Sequence, residues 1–138
     1  MQYPLRLTAI LFSIFLLFSC RKETFTNDST ARLTAGIDTL HFDTVFTTTG
    51  SATKSFKIFN RNEEGIRVEQ IRLLGGALSS FKININGQPG PQVRDLEIRG
   101  GDSAYIFVSV HINPTAANLP FIIPDTIQID YNGNRTKV

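Results

Sequence analysis

The sequence contains one cysteine and two histidines, side chains that can bind metal ions or act as nucleophiles. Cys20 ends an apolar run near the N-terminus, whereas His41 and His111 stand beside apolar residues in alternating segments. A zinc site needs three or four convergent ligands, and the sequence contains no HExxH motif, cysteine pair or EF-hand loop. We therefore predict no metal site and interpret both histidines as structural residues with satisfied hydrogen bonds.

Serine, histidine and aspartate are all present, but they follow no catalytic pattern. The sequence contains no GxSxG nucleophile elbow. The glycine pairs Gly75-Gly76 and Gly100-Gly101 precede neither a helix nor a Lys-Ser/Thr pair, as a phosphate-binding loop would require. We interpret them as turns that need positive φ. The sequence thus predicts a protein that is not an enzyme and binds no cofactor.

An Asp followed by Ser or Thr, and then by an aliphatic residue or Thr, recurs along the chain. The pattern is similar to the O-glycosylation acceptor of exported Bacteroidota proteins, in which the middle hydroxyl carries the glycan. The resemblance implies five candidate acceptors: Ser29, Thr39, Thr44, Ser103 and Thr126. Asp-Ser/Thr turns also commonly lead into β-branched strands, so a purely structural role stays open. Ser29 is the favoured acceptor, because it lies in a stretch predicted to be flexible.

Residues 1–19 have the composition of a helical bacterial signal peptide. One positive charge, Arg6, precedes an apolar run over residues 7–18. That run is shorter than the about 20 residues of a membrane span and matches the apolar region of an export signal.

The run ends in Leu17-Phe18-Ser19-Cys20, which resembles the lipobox of bacterial lipoproteins. The resemblance implies cleavage between Ser19 and Cys20 and attachment of a diacylglyceryl group to the Cys20 sulfur, although Phe18 is bulkier than the usual residue. The alternative is an ordinary secretory signal, or an uncleaved anchor, with an unrelated cysteine. Acyl chains would anchor the protein stably, because each buried methylene contributes about 0.8 kcal/mol.

Residues 20–36 are mostly polar and are predicted to form a flexible tether that carries the lipidated Cys20. No Asp follows the cysteine, and an Asp there would resemble the inner-membrane retention signal of enterobacterial lipoproteins. The expected location is therefore the outer membrane, facing either the periplasm or the surface.

From Thr39 onward, apolar and polar residues alternate with a period of two, which predicts half-buried strands. The alternating segments are residues 40–42, 56–58, 66–68, 71–73, 81–85 and 126–131. Residues 104–112 are almost entirely apolar, which predicts a central strand covered on both sides. Asn- and Gly-containing turn signals separate the segments. We predict that residues 37–138 form an all-β, immunoglobulin-like sandwich of about seven strands.

Charge and aromatic content narrow the range of partners. The net charge is +2, and the basic residues are scattered among acidic ones, whereas a nucleic-acid surface needs a coherent positive field. We therefore predict no nucleic-acid partner and expect membrane attachment through the lipid. A protein or glycan partner stays open. The lack of Trp weakens the case for sugar binding without removing it.

Several segments resemble the N-terminal module of lipoproteins from Bacteroidota, which is similar to Hydin-type immunoglobulin-like domains. They are Phe42-Asp43-Thr44-Val45-Phe46, Ser55-Phe56-Lys57-Ile58, residues 71–76, Phe81-Lys82-Ile83 and residues 102–108. The resemblance implies a fold and an envelope location but no reaction. In longer family members this module precedes a right-handed parallel β-helix.

The pair Asn132-Gly133 predicts a type I′ hairpin, after which only residues 134–138 remain for the second strand. We therefore expect a sandwich that lacks most of its last strand and exposes an edge. Three functions stay open. The first is a non-catalytic module for display, spacing or binding at the outer membrane, and the second is the N-terminal accessory segment of a longer surface enzyme or β-helix adhesin. The third is an assembly partner that exchanges a strand at the incomplete edge.

Overall fold

The computed structural model describes residues 23–43, 53–112 and 122–138. These residues form ten strands and a 3-10 helix, Gly76–Leu78. The strands are β1 Phe25–Thr26, β2 Leu33–Ala35, β3 Lys54–Asn60, β4 Gly65–Leu73, β5 Phe81–Ile85, β6 Gln88–Gly90, β7 Gln92–Ile98, β8 Ser103–Val110, β9 Ile127–Tyr131 and β10 Asn134–Lys137. The predicted all-β sandwich is confirmed, with more strands than the about seven expected. The predicted helical signal peptide lies outside the described residues.

The strands form two five-stranded sheets. In the first sheet, β4 pairs with β7 along one edge and with β9 and the short β1 along the other, and β10 continues beyond β9. The second sheet has the order β2-β3-β8-β5-β6. All described pairings are antiparallel except β1 with β4. Because β3, β4 and β5, and then β7, β8 and β9, alternate between the sheets, the chain links the two layers repeatedly.

Inward side chains from both sheets form one hydrophobic core. Ile66, Ile71 and Ile129 from the first sheet, and Ile85 and Ile106 from the second, are fully buried. Burying an aliphatic side chain of this size stabilises a fold by roughly 1.5–3 kcal/mol. The period-two pattern in the sequence therefore positions the core correctly.

Strands β4 and β7 share an irregularity. In the sequence of β4, the alternation of apolar and polar residues shifts by one residue at this point. In β4, Glu69 is an extra residue relative to β9, since Val68 pairs with Tyr131 but the next pair is Gln70 with Asp130. In β7, Asp95 lies opposite the same point and has a φ of 53°. A bulge of this kind reverses which residues face inward. Sequence analysis did not predict β7, because its buried residues do not keep a period of two.

The structure differs from the predicted tether over residues 23–36, which contain β1 and β2. Ala31 and Leu33 are 9% and 6% exposed and belong to the core. The Phe25 ring covers Gly65 so closely that an added Cβ there would lie 2.6 Å from it. A few apolar residues in a polar stretch are enough to add these strands, so the sandwich begins before residue 37.

Residues 38–43 do not form the predicted strand. The alternation of burial is still present, because Leu40 and Phe42 pack partly against the core while His41 and Asp43 are exposed. The segment therefore contributes apolar side chains to the core without pairing with a strand of either sheet.

The two Asn-Gly turns have the backbone of type I′ hairpins. Asn86 and Gly87 have φ values of 46° and 88°, and Asn132 and Gly133 have 46° and 70°. After the second turn, β10 pairs with β9 through four consecutive residues, and Val138 exchanges backbone hydrogen bonds with Ile127. Residues 134–137 therefore form a strand paired along its whole length with β9, and β10 is the terminal described strand on this side of its sheet. The strand-exchange hypothesis stays a prediction.

The pair Gly100-Gly101 lies in a turn, whereas Gly75-Gly76 leads into the 3-10 helix Gly76–Leu78, contrary to the expectation that no helix follows it. The second glycine of each pair has positive φ, 58° at Gly76 and 73° at Gly101. Gly100 is needed for a different reason, because a Cβ at this position would lie 1.9 Å from the carbonyl oxygen of Glu63. This contact brings the β7–β8 turn against the β3–β4 turn at one end of the sandwich.

Candidate functional site

Strand β8 presents two aromatic side chains on the outer side of the second sheet. Its inward residues Ala104, Ile106 and Val108 are buried, whereas Tyr105 is 43% exposed and Phe107 is 40% exposed. The prediction that this strand is covered on both sides is therefore wrong. The reason is that the described sandwich has two layers, so the outer side of each sheet has no further layer against it.

The two rings and a neighbouring lysine are in contact. The ring centroids of Tyr105 and Phe107 are 5.8 Å apart, and the ring planes differ by 18°. Lys57 lies opposite Tyr105 in the pairing of β3 with β8, and its Nζ is 4.4 Å from the Tyr105 ring centroid. An exposed cation–π contact is worth about 0.5–1 kcal/mol. The ammonium group is therefore held over an exposed ring.

Strands β3 and β5 extend this surface. On β3, Phe59 faces outward and the guanidinium carbon of Arg61 lies 5.5 Å from its ring centroid. Ser55 and Asn84 lie opposite Phe107 on either side of β8. We call the outer surface formed by Ser55, Lys57, Phe59, Asn84, Tyr105 and Phe107 the aromatic face.

The charges of the two sheets differ. Among the described residues, the five strands of the second sheet contain three lysines, Lys54, Lys57 and Lys82, and no Asp or Glu. The strands of the first sheet carry both signs. Their acidic residues are Glu69, Asp95, Glu97 and Asp130. Lys57 and Lys82 lie on the outer side of the second sheet, whereas Lys54 shares the inner side of β3 with Phe56. The strands of the aromatic face therefore carry positive charge outward and no carboxylate.

Polar side chains of the first sheet hydrogen-bond to one another, although Arg72 Nε on β4 is buried without a hydrogen-bond partner among the described residues. Gln70 Nε2 donates to Asp130 Oδ2 at 2.8 Å. Gln128 Nε2 and Arg135 Nε also donate to this carboxylate, at 2.9 and 2.8 Å. Burial raises the pKa of Asp130, but these hydrogen bonds and the Arg135 charge outweigh it, so the pKa lies below its usual value. These hydrogen bonds link β4, β9 and β10.

A polar groove lies at the end of the sandwich where β1 begins. Acidic residues dominate its charged lining, and Arg99 forms an ion pair with Glu23 at 2.8 Å. The acidic lining residues are Glu23, Asp28, Glu63, Glu64 and Asp102. Within residues 23–43, 53–112 and 122–138, no group of three or more His, Cys, Asp or Glu side chains is arranged to hold a metal ion.

Behind this groove, Asn60 joins two turns. Its side chain is 1% exposed. The Asn60 Nδ2 donates to the carbonyl oxygens of Glu64, Ile98 and Arg99 at 2.9–3.1 Å, and its Oδ1 accepts the backbone N–H of Asn62 at 3.1 Å. The residue therefore holds the β3–β4 connection against the end of β7 and has a structural role.

The structure does not bring the residues predicted from sequence into one site. The side chains of His41 and His111 are exposed, so neither is a core residue. Of the candidate glycosylation sites, Ser29 and Thr39 are exposed and Ser103 and Thr126 are partly buried. Ser19, Cys20 and Thr44 lie outside the described residues.

The Asp-Ser/Thr pairs also have a local structural role. Asp102 Oδ1 accepts the backbone N–H of Ser103 at 2.7 Å where β8 begins. Asp125 Oδ1 accepts the N–H of Thr126 at 2.7 Å, just before β9. Each of these carboxylates thus caps the backbone at the start of a strand.

Sequence analysis missed the aromatic face as a site. The available signal was the alternation of Tyr105 and Phe107 with the aliphatic residues of β8, which places both rings on one side. Lys57 is distant in sequence, and its position over Tyr105 follows only from the β3–β8 pairing.

Among the described residues, no helix has the length and apolar character needed to cross a bilayer. Comparison with protein-family models, curated proteins and solved structures finds no match.

Proposed function

We propose that this chain is a lipid-anchored, non-catalytic binding module of the bacterial outer membrane that presents its aromatic face to a partner. The proposal rests on a difference between the outer faces of the two sheets. On the first sheet, polar side chains from three strands converge on Asp130. The second sheet instead exposes Tyr105 and Phe107 beside Lys57. Exposed apolar groups rimmed by polar residues are typical of interaction sites.

The anchoring part of the proposal depends on Cys20 and its short distance from the domain. Glu23 forms an exposed ion pair with Arg99 at 2.8 Å, and Thr24 O accepts the backbone N–H of Gly65 at 2.8 Å. The few residues between Cys20 and Glu23 can span at most about 11 Å when fully extended. A lipid on Cys20 would therefore hold this end of the sandwich close to the bilayer.

β1 and Val138 lie at opposite ends of β9, an arrangement that suits a spacer. β1 lies near the Asn132 turn, since Asn132 Nδ2 donates to Thr26 O at 3.2 Å. Val138 pairs with Ile127 at the other end of β9. A partner or a following segment at Val138 would thus be held away from the membrane. The resemblance to N-terminal modules of Bacteroidota lipoproteins is consistent with this role.

Intact mass spectrometry of the protein extracted from native outer membranes with detergent tests the proposal. We expect a mass equal to that of a chain starting at Cys20 plus acyl chains, and loss of the acyl mass in Cys20→Ala. Tyr105→Ala is the matched control, because it alters the aromatic face but should keep the lipid. An unlipidated, soluble wild-type protein would contradict the proposal. A much larger mass would favour the alternative, an accessory segment of a longer surface enzyme or adhesin.

A further inference from the structure

We infer that the aromatic face binds an acidic polysaccharide, with sugar rings against Tyr105 and Phe107 and a carboxylate beside Lys57. This inference rests on the proposed binding function and specifies its partner. Two independent properties of the face support it: exposed rings with polar neighbours, and a charge of one sign.

The rings and their neighbours match the chemistry of a sugar chain. One side of a pyranose ring is rich in C–H groups and packs against aromatic rings, while its hydroxyls need hydrogen-bonding partners. Ser55 and Asn84 supply such groups on both sides of Phe107. Asn84 Oδ1 accepts the Gly87 N–H at 2.9 Å, which orients the amide and leaves its NH2 group as a donor.

The charge selects an anionic chain over a neutral one. Lys57 lies beside the rings, Lys82 lies further along on β5, and the described strands of this sheet carry no carboxylate. Complementary charge favours association and orients the partner. A carboxylate beside Lys57 could accept a hydrogen bond from the ammonium group while the adjacent sugar stays against Tyr105.

A bilayer surface fits this face less well. The rings stand on β8, the central strand of the sheet, with Ser55 and Asn84 level with Phe107. Insertion into the apolar part of a membrane would remove water from these polar side chains without replacing their hydrogen bonds. A surface that mixes exposed rings with polar side chains suits an extended, hydrated polymer.

Binding of the full chain in neutral detergent is measured against polygalacturonate, alginate and hyaluronate, with fully methyl-esterified polygalacturonate as the uncharged control. We expect saturable binding to at least one acidic polymer that weakens as salt rises. The esterified polymer should bind at least about tenfold more weakly, a difference that corresponds to one lost charged interaction.

Two variants locate the site. Tyr105→Ala and Lys57→Met should each weaken binding by roughly fivefold to tenfold. Leu78→Ala and Lys137→Met are the matched controls, since Leu78 is 97% exposed and Lys137 lies on the other sheet. Both controls should bind like the wild type, and thermal unfolding should show that all four variants are folded.

Several outcomes would overturn the inference. They are no binding to any of the three acidic polymers, equal binding of the esterified polymer, or equal losses in Lys57→Met and Lys137→Met. Binding only to phosphatidylglycerol vesicles or only to polyglutamate would assign the face to a membrane or an acidic protein instead. Each of these results leaves the Cys20 lipid measurement unaffected, so failure of the inference is separable from failure of the anchoring proposal.

Discussion

The backbone N–H of Leu33 on β2 donates to the Tyr131 hydroxyl on β9 at 3.2 Å, and this hydroxyl lies 3.4 Å from Leu33 O, so that buried hydrogen bonds join the two sheets. The Tyr131 side chain is only 2% exposed. Its hydroxyl also lies 3.3 Å from Thr136 Oγ1 on β10. This contact ties the short N-terminal strand β2 to the C-terminal hairpin.

Tyr131→Phe should destabilise the fold by about 1–3 kcal/mol, because the Leu33 N–H would lose its buried acceptor. Chemical denaturation gives the free energy of unfolding, and hydrogen exchange of the Leu33 amide reports the local effect. Tyr105→Phe, which removes a hydroxyl from an exposed ring, should change stability little. Unchanged exchange at Leu33 in Tyr131→Phe would show that the hydroxyl does not hold β2.

Asn60→Ala should cost on the order of 3 kcal/mol, since it leaves buried carbonyl groups at the end of the sandwich without their donor. Asn27→Ala, at an exposed position, is the matched control and should be nearly neutral. Thermal unfolding compares the two. A small loss in Asn60→Ala would mean that water replaces the side chain in these hydrogen bonds.

The acid sensitivity of the fold should depend on Asp130. Its pKa is lower in the folded protein than the ordinary value of 3.8, for the reasons given above. The group therefore stabilises the fold above its unfolded pKa, about 3.9, and this contribution is lost as the pH falls through the folded pKa. Asp130→Asn should flatten the fall in stability on acidification below about pH 4.

Asp95→Asn is the control for this experiment, because Asp95 is exposed on β7 and Asn tolerates its positive φ. Urea denaturation at a series of pH values measures both variants. If Asp130→Asn and the wild type lost stability in parallel on acidification, the hydrogen bonds from Gln70, Gln128 and Arg135 would not favour the charged form.

If the chain is O-glycosylated, Ser29 and Thr39 should carry the glycans before Ser103 and Thr126, because the first two are exposed. Peptide mapping of the envelope protein should find added mass at Ser29, and Ser29→Ala should remove it. Ser55→Ala, at an exposed serine without a preceding Asp, is the control. Finding all candidate hydroxyls unmodified would reject the glycosylation prediction.

If Cys20 carries a lipid, the end of the sandwich that contains Glu64 should lie nearer the bilayer than the end that contains Lys137. In lipidated protein, dyes attached to Glu64→Cys and Lys137→Cys can be compared by energy transfer to a lipid probe. We expect the stronger transfer from position 64. Equal transfer would show that the domain rotates freely on its anchor despite the short connection.

Regular alternation predicted strands well where the backbone stays regular, as in β3, β5 and β9. It missed β7 because the buried residues Val93 and Leu96 lie on either side of the bulge at Asp95. It placed a strand at residues 40–42, where burial alternates without sheet pairing. The alternation of apolar and polar residues indicates only which side chains are buried. Whether a segment pairs in a sheet depends on a partner strand that the local sequence does not specify.

The sequence by itself determined the all-β class, the core positions of the regular strands and the type I′ turn at Asn132-Gly133, because all depend on local backbone preferences. Only the tertiary structure decided that Leu33 belongs to the sandwich and meets Tyr131, and that Lys57 lies over an exposed Tyr105. These relationships join residues far apart in sequence. They depend on strand order, register and the number of layers, which no local pattern specifies.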